Sequence, residues 1–434
     1  MANAVVSQNV GEFFGKKPIY NMVLFFFFIF VVSLVTSKPG MNISAAVLAI
    51  VSLSMFTLNY RKIASTKYLN ATFYISFGVY FLFAVVSFFH PSIVDFEEYL
   101  YKDLYLLVIP IATLLLMEDD TRRKATLLLV IASLIASIYS IYNFVTIADF
   151  NIMIRTSGFL SSDRHLNCVI LSSCICLHYL LSNNLETKLK VLILFTLVVF
   201  LTSIVVSSTR GGWLAAAVSF AFLIVKYHRR LIPYIAVALF ASALLFSVIG
   251  GNAYKEVANR FTSIGNVTSD YSNTSRINMW KGGLSYLTHL SETQPETVVF
   301  GGGMESSATN YFKYLDSLTE EERLSYGKDG HRLGGTDFHM TFIDMSVKSG
   351  VLFTVTILSL FSIVACYAIF SYENNDVIKY MGAYLIGVFV WLPFYSIMQS
   401  YSAYIFTFAI AIVLAEYVKA KKIKSERVDE ISLV

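Results

Sequence analysis

The feature that most constrains this chain is the recurrence of apolar runs about as long as a bilayer is thick. Helical spans are predicted at about 19–36, 41–59, 71–90, 104–117, 125–147, 165–182, 191–208, 212–226, 231–251, 350–371, 380–398 and 400–418. A helix needs roughly 20 apolar residues to cross a hydrocarbon core of about 30 Å. No water inside that core can satisfy peptide groups, so only helices and closed barrels span it. A barrel would show alternating segments of about 10 residues instead. The expected fold class is therefore all-α, a polytopic integral membrane protein with about twelve transmembrane helices. Composition agrees: 56% of the 434 residues are hydrophobic and 14% charged, against about 25% charged in soluble domains. The fourth run is the shortest, which leaves the number of spans less constrained than the class.

Basic residues set the orientation, because loops on the cytoplasmic side carry the excess of Lys and Arg. With the N-terminus inside, that side holds Lys16, Lys17, Arg61, Lys62, Lys67, Arg122, Arg123, Lys124, Lys188, Lys190, Lys226, Arg229, Arg230, Lys379 and the tail from Lys419. The short loops on the other side hold only Lys38, Lys102, Arg155, Arg164 and Arg210. Both termini are thus expected in the cytoplasm. No small-residue cleavage site follows the first span, so it is read as retained. The organisation that follows is nine spans in 1–251, a large periplasmic loop over 252–349, three spans in 350–418 and a basic tail over 419–434. The net charge of +4 is explained by inside loops and tail and calls for no nucleic acid. Cys168, Cys174, Cys176 and Cys366 all fall within spans and read as packing residues rather than disulfides or metal ligands.

The large loop should contain helices over 275–290 and 309–327, the second ending at Gly327, with "FGGGMESS" between them as a flexible turn. "GKDGHRLGGTDFHM" is a Gly-rich loop just before "TFIDMSVKSG", which leads into the tenth span. A loop this long is either a cap on the bundle or half of an active site.

Charged groups gather on the outer side. Arg210, in "SSTRGGWLAAA", sits where the seventh and eighth spans meet with almost no loop between them. It reads either as an interfacial arginine snorkelling to headgroups or as a functional residue, since charges at membrane level are costly unless used. Arg276 follows Asn273, Thr274 and Ser275, any of which could cap a helix starting there. An arginine in a first turn suits an anion better than it suits the helix; an ion pair with Asp270 is the alternative. Arg155, Arg164 and His165, with Asp163, form a polar cluster before the sixth span that could bind phosphate or headgroups, and Arg332 joins them as a secondary candidate. His339 lies where the large loop re-enters the membrane, with Asp337 and Asp344 near enough to orient it and His331 as its rival. Two arginines match the oxygens of a diphosphate, and a histidine can take a proton from an acceptor hydroxyl. No metal signature marks the outer face, so no cofactor is expected and the arginines would stabilise the charge themselves.

Three of these stretches carry a resemblance that covers nearly the whole chain. "SSTRGGWLA", "SRINMWKGGL" and the spacing from His339 to Gly350 resemble the O-antigen ligase (WaaL) family, within the O-antigen ligase and polymerase superfamily. Met340 and Phe353 depart from the last motif, whereas its His-to-Gly spacing is kept. "SSDRHLN" resembles a polar turn found in some ligases. The resemblance implies a metal-independent, inverting glycosyl transfer at the periplasmic face of the inner membrane. The donor would be O-antigen polysaccharide on undecaprenyl diphosphate and the acceptor a sugar hydroxyl of lipid A core. His339 would act as general base, with Arg210 and Arg276 on the diphosphate. An O-antigen polymerase uses the same donor and is the nearest alternative. A twelve-span transporter or flippase is more remote, because such proteins place their site residues near the bilayer midplane between similar halves.

Overall fold

The computed structural model describes residues 10–64, 66–90, 92–151, 154–182, 185–234, 271–326, 337–371, 375–396 and 402–432. After a short 3-10 turn, the helices are α1 (Lys17–Thr36), α2 (Lys38–Leu58), α3 (Tyr60–Ala64), α4 (Lys67–Phe88), α5 (Ile93–Lys102), α6 (Tyr105–Leu116), α7 (Asp119–Thr146), α8 (Ser162–Leu181), α9 (Thr187–Val206) and α10 (Arg210–Tyr227). Beyond position 270 follow α11 (Tyr271–Thr293), α12 (Pro295–Phe300), α13 (Ser306–Ser317), α14 (Glu320–Ser325), α15 (Thr341–Phe370), α16 (Asp376–Trp391) and α17 (Ala403–Ser432). Among the described residues there is no strand, and nine helical segments are long and apolar enough to cross a membrane. The protein is an all-α polytopic membrane protein. Two more apolar helices, α10 and α16, pack within the bundle. The predicted span 231–251 lies outside the described residues from position 235 onward.

The short fourth run turns out to be the middle of the protein. All twelve residues of α6 are buried, as expected of a helix that is apolar on every side. It packs along the equally buried start of α17, with Tyr105 and Tyr404 ring centroids 6.2 Å apart. The span gains its missing length from α5, so that Ile93–Leu116 runs 24 residues. The acidic face of α5 had masked this part in the sequence.

The large loop forms a second core of its own. Tyr286, Leu290, Tyr311, Tyr314 and Leu315 pack with Phe338, Ile343 and Val347, which belong to the entry into α15. Burial there pushes the Tyr286 phenol up to about 12. The predicted helix 309–327 is two helices, because "TEEE" restarts the chain. The Thr319 N–H and hydroxyl donate to Glu322 Oε2 (3.0 and 2.8 Å), while the Glu322 N–H reaches back to Thr319 Oγ1 (3.3 Å). That reciprocal pairing is a capping box. Gly327, the predicted end, lies outside the described residues.

"FGGGMESS" is a clamp rather than a flexible turn. α15 breaks at Gly350 (φ 86°, ψ 159°), leaving carbonyls at the end of its first segment without helical partners. Gly302 N–H donates to Val347 O (2.9 Å) and Gly303 N–H to Lys348 O (3.0 Å). The approach is so close that a Cβ on Gly350 would stand 2.3 Å from Val299 O. Just beyond, Asp95 of α5 accepts the Glu305 and Ser306 N–H groups (2.7 and 3.0 Å) and so caps α13 from another element. The loop is thereby bolted to one end of the bundle.

Candidate active site

Arg210 is the first residue of α10, and the three residues before it explain why the turn is so short. Ser207 Oγ donates to Ile204 O (2.7 Å), Thr209 Oγ1 donates to Ser207 O (3.1 Å), and the Trp213 indole N–H donates to Ile204 O (2.8 Å). Thr156 Oγ1 adds a bond to Val206 O (2.9 Å). The Ile204 and Val206 carbonyls of α9 are thus satisfied by side chains, and those of Ser203 and Val205 by the Ser207 and Ser208 N–H groups; Ser208 takes the left-handed conformation (φ 53°) that turns the chain. A cation at this position opposes the positive end of α10, so the helix is not what holds it there.

α11 supplies the facing wall. Asn273, Arg276, Ile277 and Trp280 fall at i, i+3, i+4 and i+7 and share one face. The expected cap does not form at this place: Asn273, Thr274 and Ser275 lie inside the helix, which already includes Tyr271. Gly283 lets α11 press against the entry to α15, since a Cβ there would meet Ile343 Cγ2 at 2.5 Å and Phe338 Cδ1 at 2.8 Å. Arg210 and Arg276 then line one cleft of about 330 Å³ together with Gly211, Leu214, Asn273, Trp280 and Phe394. No acidic side chain is among its described lining residues.

The segment after α16 organises the rest, and sequence reasoning missed it. The predicted span 380–398 stops at Trp391, before Pro393, since a proline disfavours helix at the residue ahead of it. Leu392 O accepts the Thr341 N–H (3.1 Å), and Tyr395 O accepts the Thr341 hydroxyl, joining the end of α16 to the start of α15. The Tyr395 ring lies under the Arg276 guanidinium, 5.5 Å from centroid to carbon, and edge-on to His339 at 6.3 Å. Ser396 Oγ donates to Asp337. The "WLPFYS" stretch, with its proline and a hydroxyl on each side of the aromatic run's end, was the available signal.

His339 adopts a left-handed backbone (φ 49°), a strained conformation for a non-glycine residue. Asp337 holds it there: Oδ1 accepts the His339 N–H (2.6 Å), and Oδ2 lies 3.4 Å from Nδ1. Asp337, not Asp344, is therefore the carboxylate nearest the imidazole, at ion-pair distance although Nδ1 makes no hydrogen bond among the described residues. Asp344 is engaged by Lys348 (2.8 Å) and by the Phe338 N–H (3.3 Å). Two donors beside the cleft, the Trp280 indole N–H and the Tyr395 hydroxyl, are buried without a hydrogen-bond partner among the described residues.

Three of the secondary candidates, Arg155, Arg164 and His165, are not among the described lining residues of this cleft. His165 is fully buried, with Nε2 2.8 Å from Ser203 Oγ. Asp163 accepts from Ser402 Oγ (2.7 Å). Arg164, in the first turn of α8, and the exposed Arg155 are absent from the cleft lining. His331 and Arg332 lie outside the described residues. Among those described, no three His, Cys, Asp or Glu side chains are grouped to hold a metal ion.

The family model for O-antigen ligase matches residues 195–358. That match, over 164 of the 434 residues, supports membership in the O-antigen ligase and polymerase superfamily. Members of that superfamily are ligases and polymerases of the glycosyltransferase type, and the match supports a function of that type for this multi-pass membrane protein. The matched segment contains Arg210, Arg276, His339 and Gly350, whereas Tyr395 and Ser396 lie beyond it. No curated protein matches the chain.

Proposed function

We propose that this protein is an O-antigen ligase of the bacterial inner membrane. It would move O-antigen polysaccharide from undecaprenyl diphosphate to a sugar hydroxyl of lipid A core at the periplasmic face. The observation that carries this reading is the convergence of Arg210 and Arg276 in one cleft lined by no described acidic side chain. Guanidinium forks match phosphate oxygens and stay charged at any physiological pH. A lipid diphosphate at headgroup level would place its oxygens between them, and the Trp280 N–H can supply a further donor.

In this mechanism the acceptor oxygen attacks the anomeric carbon as the bond from that carbon to the diphosphate oxygen breaks, which inverts the centre. His339 takes the proton of the acceptor hydroxyl, with Asp337 holding the imidazole from behind. The electron pair leaves on the diphosphate, where Arg210 and Arg276 stabilise the growing charge. Undecaprenyl diphosphate departs with that charge and the proton remains on His339 until solvent removes it.

The test uses purified protein, an undecaprenyl-diphosphate glycan and lipid A core, with a chelator present. Glycan should appear on the core, and Arg210→Ala should lower its transfer by about 100-fold or more. Polymer growth on the lipid carrier, with none on the core, would replace the ligase by the polymerase reading. Dependence on an added metal would remove the arginines from their role.

A further inference from the structure

A second cavity, about 880 Å³, opens on the flank of the bundle between α7 and α9, with α8 and α16 as its floor. It lies at the end away from the cleft: α9 and α16 both begin beside it, and their far ends lead into Arg210 and Tyr395. The cavity is polar at one end, where Arg122, Arg123, Thr126 and Tyr179 meet Asn375 and Asp376. Away from that end it becomes apolar along Leu127, Ile131 and Leu134, faced by Leu192 and Thr196. From Arg123 to Leu134 the helix rises about 16 Å, roughly half of a 30 Å hydrocarbon core. Leu127 (58% exposed), Ile131 (44%) and Leu192 (59%) are open to the outside, so the groove is entered sideways from the bilayer.

The charges at the mouth differ in availability. Arg122 is paired with Glu416 and Asp119, which locks α7 to α17. Asp376 is engaged by Lys379 (3.1 Å) and His178 (3.2 Å). Arg123 is exposed and has no ion pair among the described residues. Lys188 and Lys190 lie in the first turn of α9, on either side of Leu189 of the groove lining.

We infer that this groove holds an anionic phospholipid of the leaflet at that end, its phosphate on Arg123 and an acyl chain between α7 and α9. Basic pockets between membrane helices take anionic headgroups for this reason. A zwitterionic lipid would bring its own cation to Arg123, and free phosphate would leave the apolar length unfilled. The site is separate from the transfer cleft and does not depend on the activity assigned to it.

The test is native mass spectrometry of the full chain after exchange with vesicles of phosphatidylcholine and phosphatidylglycerol. Retained phosphatidylglycerol is scored for wild type, Arg123→Gln, Lys124→Gln and Leu192→Trp. Lys124 is a surface control, 60% exposed, paired with Asp120 (2.6 Å) and outside the groove. Arg123→Gln should lower retention about fivefold, the equivalent of about 1 kcal/mol, and Leu192→Trp should lower it by filling the groove. Lys124→Gln should stay within about twofold of wild type. Equal losses at Arg123 and Lys124 would mean a nonspecific annulus and overturn the assignment. So would unchanged retention in Arg123→Gln, or displacement of the lipid by millimolar inorganic phosphate. Because Arg123, Lys124 and Leu192 are all exposed, unaltered melting of each variant checks that folding is intact.

Discussion

Replacing Tyr395 by leucine tests whether its ring holds Arg276 in place. The guanidinium carbon lies 5.5 Å from the ring centroid, within cation–π range, and Tyr395 is half-buried. Such a contact contributes about 0.5–1 kcal/mol when exposed and about 2 when desolvated. For a half-buried pair we take about 1–2 kcal/mol, which corresponds to a fall of about fivefold to thirtyfold in kcat/KM. Tyr395→Phe keeps the ring and should stay within about threefold of wild type. The assay is glycan transfer at subsaturating donor, run as a double-mutant cycle with Arg276→Ala. Because both changes act on one interaction, the double variant should lose less than the two single losses combined. The cycle also separates Arg276 from His339, which touches the same ring at 6.3 Å. If Tyr395→Phe fell as far as Tyr395→Leu, the hydroxyl would be the active group. If the single losses simply combined, the ring would have no hold on Arg276.

Arg210→Ala should lower transfer by about 100-fold or more, the usual effect of removing one donor from a developing oxyanion. Arg210→Lys should recover part of it, and full activity in the lysine variant would show that charge without the fork is enough. His339→Gln should reduce kcat by about 100-fold, with KM for the donor nearly unchanged; a change confined to KM would make His339 a binding residue. Asp337→Asn keeps an acceptor for the His339 N–H but loses the charge behind Nδ1, so its kcat should fall between wild type and His339→Gln. Gly350→Ala sets a Cβ 2.3 Å from Val299 O at φ 86°. The left-handed strain and the two clamp hydrogen bonds put at risk together should cost about 2–4 kcal/mol. That cost would be read as a lower melting temperature in detergent, and an unchanged melt would mean that the clamp yields freely.

Much of the fold was legible because a bilayer turns hydropathy into geometry. Runs of apolar residues near the required length become helices whatever their partners. The errors fell where polar side chains did work that hydropathy cannot weigh. The acidic face of α5 concealed the start of a span because Asp95 is buried as the cap of α13, a helix some 210 residues away in sequence. Apolar residues continue past the end of α16, and it is Pro393, which hydropathy does not weigh, that stops the helix at Trp391. The clamp at Gly301–Gly303 looked loose because three glycines in a row are also what a flexible turn requires.

The site divides in the same way. Arg210, Arg276 and His339 stood out singly, and for Arg210 and Arg276 a structural reading stood beside the functional one. Asp337 and Asp344 were equivalent by spacing and became distinct only when Lys348 engaged one of them. Arg164 and His165 looked like members of the same cluster, yet α8 turns His165 inward to Ser203. The sequence alone determined the class of protein, most of its described helical spans and the chemical types that could serve a diphosphate. Only the tertiary structure decided which residues share a cleft and set Tyr395 against Arg276 and His339. The physical reason is that hydropathy acts one helix at a time. The distance between two side chains more than 60 residues apart is set by close packing between helices, which no single segment records.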